Sequence, residues 1–434
     1  MTRFARNACM VLGFLTTVGF VRSAQAVTGY VSGSWSLWNK NGDYCPSNNT
    51  CTGAYYPQSL YNTWAPVSNG AIWIVDSTGA IIGTGSADDN GNYTASWTRS
   101  TFPTQIGVKI FPYQKDGRFY FANPAGQLIN NWFGLVNTAS GTTASSPQQM
   151  GSWGVGSSTA PDPYYNAYWA AEWQWRYIMN LVGVLQANFT NVQIRGFADT
   201  ITGYRGTCTT SCASGPDKQV QLDSNAGFSP QGRVMHELGH IATYVTHPWR
   251  LTVDYSWGGN GGWCQTCPEY GDASFEEGFA THYGSLTFWA DNSTSPTTCL
   301  SSSNCYDGSG NPFSGTDLEA SSYPYSTNNC NMSSTNPEAR WPLSAMRYFW
   351  DVFDNHNDAD GDTYSANQGD FWKHLHNLAW YPAGTGTDQI DEPWNSNYTS
   401  VTEPDGRGST SYADNYNANV VATNILRIDN CSPP

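Results

Sequence analysis

Hydrophobic positions change period along this chain. From Val27 to about Trp153 there is almost no helical periodicity. Short apolar runs are separated by turn residues instead: Ala71–Asp76, the turn Ser77-Thr78-Gly79, Ala80–Thr84, Asp88–Trp97 with Asn90-Gly91 inside it, and Gly107–Tyr113. Short strands at regular spacing with Thr-Gly and Asn-Gly turns predict a β-sandwich. Two low-complexity stretches, Thr138–Ser146 and Gly154–Pro163, mark a connector. A long aromatic helix is expected next, from about Tyr164 to Gln186, with its apolar side chains packed in a core. Gln219–Asp223 alternates as a short strand, and Ser224–Gly227 reads as a turn. Val234, Leu238, Ile241 and Val245 then recur at spacings of four, three and four, which is helical. Ser229-Pro230 opens that helix as cap and first-turn proline, and His247-Pro248 closes it. Trp341–Phe353 reads as a further helix with Pro342 in its first turn.

The helix over residues 230–246 carries His236-Glu237-Leu238-Gly239-His240. An HExxH string places two imidazoles one turn apart on one face, where both can hold a single Zn²⁺. The intervening glutamate then lies beside the metal, placed to take a proton from an activated water. With 7 His in 434 residues, a chance HExxH arises on the order of once in several hundred such chains. Two histidines leave a zinc site incomplete, so a third ligand is required.

Strand, loop and HExxH helix is the order found in zincin peptidases, in which an edge strand pairs with extended substrate. The metzincin pattern would place Gly at 243 and His at 246. This chain has Thr243 and Thr246, with His247 one residue out of register. Ser274-Phe275-Glu276-Glu277-Gly278-Phe279-Ala280-Thr281-His282-Tyr283 instead resembles the glutamate helix of gluzincins, in the NEGFA-like form. That resemblance implies His236, His240 and Glu277 as metal ligands, Glu237 as general base, and Glu276 on a different helix face. It also implies an oxyanion donor, for which Tyr348, His282 and Tyr283 are all candidates. Gly278, Ala280 and Gly284 are small enough to let the two helices approach closely. Ser274-x-x-Glu277 is also a capping box, which would turn Glu277 back to its own helix start.

The rhythm Asp76-x-x-Gly79 … Ile82-Gly83-Thr84 … Asp88-Asp89-Asn90-Gly91-Asn92-Tyr93 resembles transthyretin-like or carboxypeptidase-regulatory-like modules beside secreted peptidases. Trp350–Asp354 with the acidic loop to Ser365 resembles a stretch downstream of HExxH in some secreted bacterial metallopeptidases. Asp358, Asp360 and Asp362 about Gly361 partly match a calcium loop, although His356 and Asn367 occupy positions an EF-hand fills with other ligands. Ca²⁺ or a solvated turn are the two readings of Asp354–Asp362.

Residues 1–26 read as a secretory signal: Arg3 and Arg6, the apolar stretch Val11–Val21, and Ala24-Gln25-Ala26. Removing it with Cys9 leaves ten of 11 cysteines, an even number suited to an oxidising compartment. Cys45/Cys51, Cys208/Cys212, Cys264/Cys267 and Cys299/Cys305 are close in sequence, and Cys330 with Cys431 would tie back the C-terminus. Losing Arg3, Arg6 and Arg22 leaves 16 basic against 34 acidic residues, a net charge of −18. That balance argues against nucleic acid or anionic membrane as a partner.

The expectation is therefore α+β: a signal (1–26), an N-terminal β-sandwich accessory domain (27–158) and a zincin-like catalytic domain (159–434). Its activity would be that of a secreted, extracellular or periplasmic, zinc endopeptidase acting on protein or peptide substrates. No segment reads as inserted in a membrane, and oligomeric state is open. Two alternatives stand beside it. A zinc aminopeptidase would share the NEGFA-like helix, but no GxMEN-like amine-binding motif precedes His236. A non-enzymatic glycan- or surface-binding protein would use the 19 Trp and 26 Tyr.

Overall fold

The computed structural model describes residues 26–39, 63–181, 183–198, 211–224, 230–246, 269–285, 297–298, 316–317 and 339–340. The protein is α+β, with strands concentrated toward the N-terminus. Nine strands come first: β1 (Val27–Asn39), β2 (Thr63–Pro66), β3 (Gly70–Asp76), β4 (Ile81–Ser86), β5 (Asn92–Arg99), β6 (Gln105–Gln114), β7 (Phe119–Ala122), β8 (Asn131–Asn137) and β9 (Gln148–Val155). Helix α1 (Pro163–Tyr177), a 3₁₀ turn (Met179–Leu181), α2 (Gly183–Asn188), β10 (Val192–Arg195), β11 (Cys212–Ser214) and β12 (Gln219–Gln221) follow. Then come α3 (Pro230–Thr246), β13 (Glu269–Tyr270), α4 (Gly271–Ser285) and the short β14 (Thr297–Thr298), β15 (Thr316–Asp317) and β16 (Ala339–Arg340).

The strands expected between residues 71 and 113 are present as β3 to β6. Alternation sets their faces: in β5, Tyr93, Ala95 and Trp97 point inward while their neighbours face solvent. The turn before β5 is held by Asp88, whose Oδ1 accepts from the amides of Asn90 (2.8 Å) and Asn92 (2.9 Å), with Gly91 at φ 76°. One sheet joins β2, β1 and β5, with β9 parallel to β1. Its Val31, Trp35 and Trp97 share one core with Ile72 and Ile74 of β3 and with Ile106, Val108 and Ile110 of β6, in the second sheet.

That second sheet runs β11-β12-β10-β7-β6-β3-β4, with β8 also on β6. Its order carries it across the connector. β10 pairs in parallel with β7, from Val192↔Phe119 to Arg195↔Ala122, and β12 pairs in parallel with β10. β11 closes that end antiparallel to β12. The expected boundary near residue 158 lies between β9 and α1, and both a sheet and a core extend across it.

Helix α1 is the wedge between the two halves. Asp162 caps it, accepting from the amides of Tyr164 and Tyr165, and Pro163 occupies its first turn. Tyr165, Tyr168 and Glu172 share one face. Tyr165 donates to Ile110 O (2.9 Å), Tyr168 donates to Ser68 O (2.8 Å), and Glu172 Oε1 accepts from Asn69 Nδ2 (2.5 Å). From another face, Gln174 Nε2 donates to Met235 O on α3 (3.1 Å). The single helix expected over 164–186 is instead broken after Tyr177 by the 3₁₀ turn. Gly183, a poor helix former, begins α2, and the break returns Phe189 to stack on Trp175 at 5.6 Å.

His247, Tyr348, the Trp341–Phe353 helix, the Asp354–Asp362 loop and residues 1–25 lie outside the described residues. Cys212 is disulfide-bonded; the other cysteines also lie outside them. No helix among the described residues is long and apolar enough to cross a membrane.

Two outcomes are expected. A chain beginning at residue 160 loses the β7 partner of β10 and uncovers the Tyr165/Tyr168 face of α1. It should give no cooperative thermal transition, which calorimetry reads directly. Burial pushes the Glu172 carboxyl up to about 8. Its folded value exceeds its unfolded one, so its stabilising contribution is complete below the ordinary carboxylate range and is lost as pH rises toward about 8. Glu172→Gln should therefore melt higher than the parent by roughly several degrees at about pH 8, with the gap closing near about pH 4.

Candidate metal centre

The site is built where α3 meets α4. β12 leads through Leu222, Asp223 and Ser224 toward α3, and Ser211 Oγ donates to Asp223 Oδ1 (2.8 Å) while accepting from the Asp223 amide (3.2 Å). Apolar Val234, Leu238, Ile241 and Val245 bury one side of α3, as their spacing requires. The start of α3 is tied to both sheet and wedge. Gln231 Nε2 donates to Asn39 Oδ1 of β1 (2.7 Å) and lies 3.5 Å from Asn166 Oδ1 of α1.

The two site helices touch at Gly239. A Cβ there would lie 2.8 Å from Ala280 Cα, so only glycine permits this approach. Ala280 is one of the small residues expected to admit close packing. α4 starts at Gly271, which puts Ser274 inside the helix and not at its N-cap. The capping-box alternative for Glu277 therefore lacks its geometry.

Close packing brings three donor atoms together. His236 Nε2 and His240 Nε2 are 3.2 Å apart, with rings at 89° to one another. Glu277 Oε2 lies 3.3 Å from the first and 3.6 Å from the second. That oxygen is buried and has no hydrogen bond of normal geometry. The point equidistant from the three atoms is about 2 Å from each, the length of a Zn–N or Zn–O bond. Two imidazoles and a carboxylate are also the donor chemistry of a zinc site, so the residues fit a divalent metal.

The histidines' far nitrogens are held from α4. Thr281 Oγ1 donates to Glu277 O (2.7 Å), which commits its proton, and lies 3.4 Å from His236 Nδ1. It can then only accept there, placing the His236 proton on Nδ1 and the Nε2 lone pair toward the donor triangle. Glu276 Oε2 lies 3.8 Å from His240 Nδ1. Glu276, adjacent to Glu277 and so on a different face of α4, stays out of the donor triangle and is buried beside His240. Sequence reasoning misses Thr281, whose only signal is its position one turn after Glu277.

Burial is the largest single influence on each of four ionisable groups and prevails at two of them. It lowers the His236 imidazole to about 4 and raises the Glu237 carboxyl to about 8. For His240 burial opposes charging, but the Glu277 and Glu276 carboxylates outweigh it and hold the imidazole well above its usual range. Burial resists ionising Glu277, yet His240 and His236 draw its carboxyl down to about 2. His282 and Tyr283, two of the expected oxyanion donors, are fully buried in α4.

No family model and no curated protein matches the chain. Among solved structures, a 9R-lipoxygenase from Cyanothece PCC8801 aligns at 11% identity and a TM-score of 0.17. The alignment covers 37% of this chain and 24% of that one, and it supports no conclusion about fold or function.

Zinc retention should separate ligand from positioning residues. Glu277→Ala should abolish it, while Thr281→Val and Glu276→Ala should weaken it about tenfold or more without abolishing it. Competition against a chromophoric chelator measures all three.

Proposed function

We propose that the chain is a secreted zinc-dependent endopeptidase of the zincin type. The observation that carries this reading is the buried His236–His240–Glu277 triangle with Glu237 beside it on α3. The order of β12, loop and α3 supports it, as does β11, which presents an outer strand at that end of the sheet.

His236, His240 and Glu277 would hold the metal. Bound zinc supplies a Lewis acid for the scissile carbonyl and lowers the pKa of water. Glu237 does the proton work: its carboxylate accepts the proton of the attacking water and returns it to the leaving amine. Burial raises its proton affinity, which suits a base that must also act as an acid near neutrality. Thr281 and Glu276 keep the imidazoles oriented.

Glu237→Gln should keep the fold and bind zinc but lose about 10²–10⁴-fold in casein hydrolysis, since an amide cannot take the proton. The check is activity measured alongside zinc content, with chelator-treated parent protein as the control. A zinc-loaded Glu237→Gln variant with parental turnover would overturn the role.

A further inference from the structure

Helix α3 is unevenly covered. From Gln231 to Val245 only Arg233, His240 and Tyr244 are partly exposed, and every other residue is buried. At about 100° per residue these three fall within about 40° of one another, and Glu237 lies beside them. The open strip of the helix therefore carries one member of the donor set, His240, and runs beside buried His236. Arg233 sits one turn before Glu237 on it.

Arg233 makes no hydrogen bond or ion pair among the described residues. Four other arginines do: Arg99 pairs with Asp76, Arg176 with Asp89, Arg118 donates to Gln186 O, and Arg195 donates to Gln193. A half-buried guanidinium has lost part of its hydration, and its fork matches a carboxylate with two parallel hydrogen bonds. Its charge reaches the site, lowering the proton affinity of both His236 and Glu237.

We propose that Arg233 forms a substrate subsite that engages a carboxylate close to the cleaved bond, from an Asp or Glu side chain or from a peptide's free C-terminus. This rests on the peptidase reading. The competing role is internal, with Arg233 only offsetting the charges of Glu237 and Glu277.

The test uses the full zinc-loaded protein and matched fluorogenic peptides: Asp/Glu against Asn/Gln versions, and free against amidated C-termini. The pair that responds identifies the source of the carboxylate. The acidic member should be favoured about tenfold or more in kcat/KM, the effect of one charge-assisted contact. In Arg233→Gln that ratio should fall toward one. Lysine cannot make the two-pronged contact, so Arg233→Lys should give an intermediate ratio and carries the test if Arg233→Gln folds poorly. Fluorescence anisotropy with the same peptides on Glu237→Gln protein reads binding without turnover. If the parent cleaves no peptide, the peptidase reading fails while anisotropy still decides the subsite. Equal handling of acidic and amide members, or a preference that survives both substitutions, overturns the proposal.

Discussion

The contact of Gly239 with Ala280 sets the distance between α3 and α4, and the site depends on that distance. The imidazoles come from one helix and the carboxylate from the other, so any added width at this point pulls the donor triangle apart. Packing this tight also removes water. A carboxylate left in such a place is costly unless positive charge faces it. His240, whose imidazole is held charged, supplies that partner within the chain, and a divalent cation satisfies the same three atoms.

The rest of the fold positions α3. Gln174 of α1 binds the carbonyl of Met235, the residue before His236. Gln231 binds Asn39, 192 residues away in β1. Through α1, whose Tyr165 and Tyr168 hydroxyls reach the backbone of the N-terminal strands, the sheet-rich half supports the helix that holds both histidines. Sites held by packed regular elements keep their geometry better than sites on loops.

What is legible in the sequence is local. HExxH and its apolar period mark chemistry and helix in one short stretch, and Asn90-Gly91 marks a turn. Glu277 is ambiguous there because Ser274 offers a cap at the right spacing, and the ambiguity falls only because α4 begins at Gly271. The parallel pairings β1–β9 and β7–β10 join distant residues, which no local period records. Likewise, an interior turn at Met179–Leu181 leaves the aromatic pattern of α1 looking continuous.

The two histidines are not equivalent, and α4 makes them differ. Behind His236 stands a hydroxyl whose proton is already given to Glu277 O, so it stabilises a neutral imidazole with its proton on Nδ1. Behind His240 stands the Glu276 carboxylate, which favours a more basic ring. The helix that brings the third donor atom thus also sets the state of the other two. That coupling explains why substitutions behind the histidines should register in metal affinity, although none of those side chains belongs to the donor triangle.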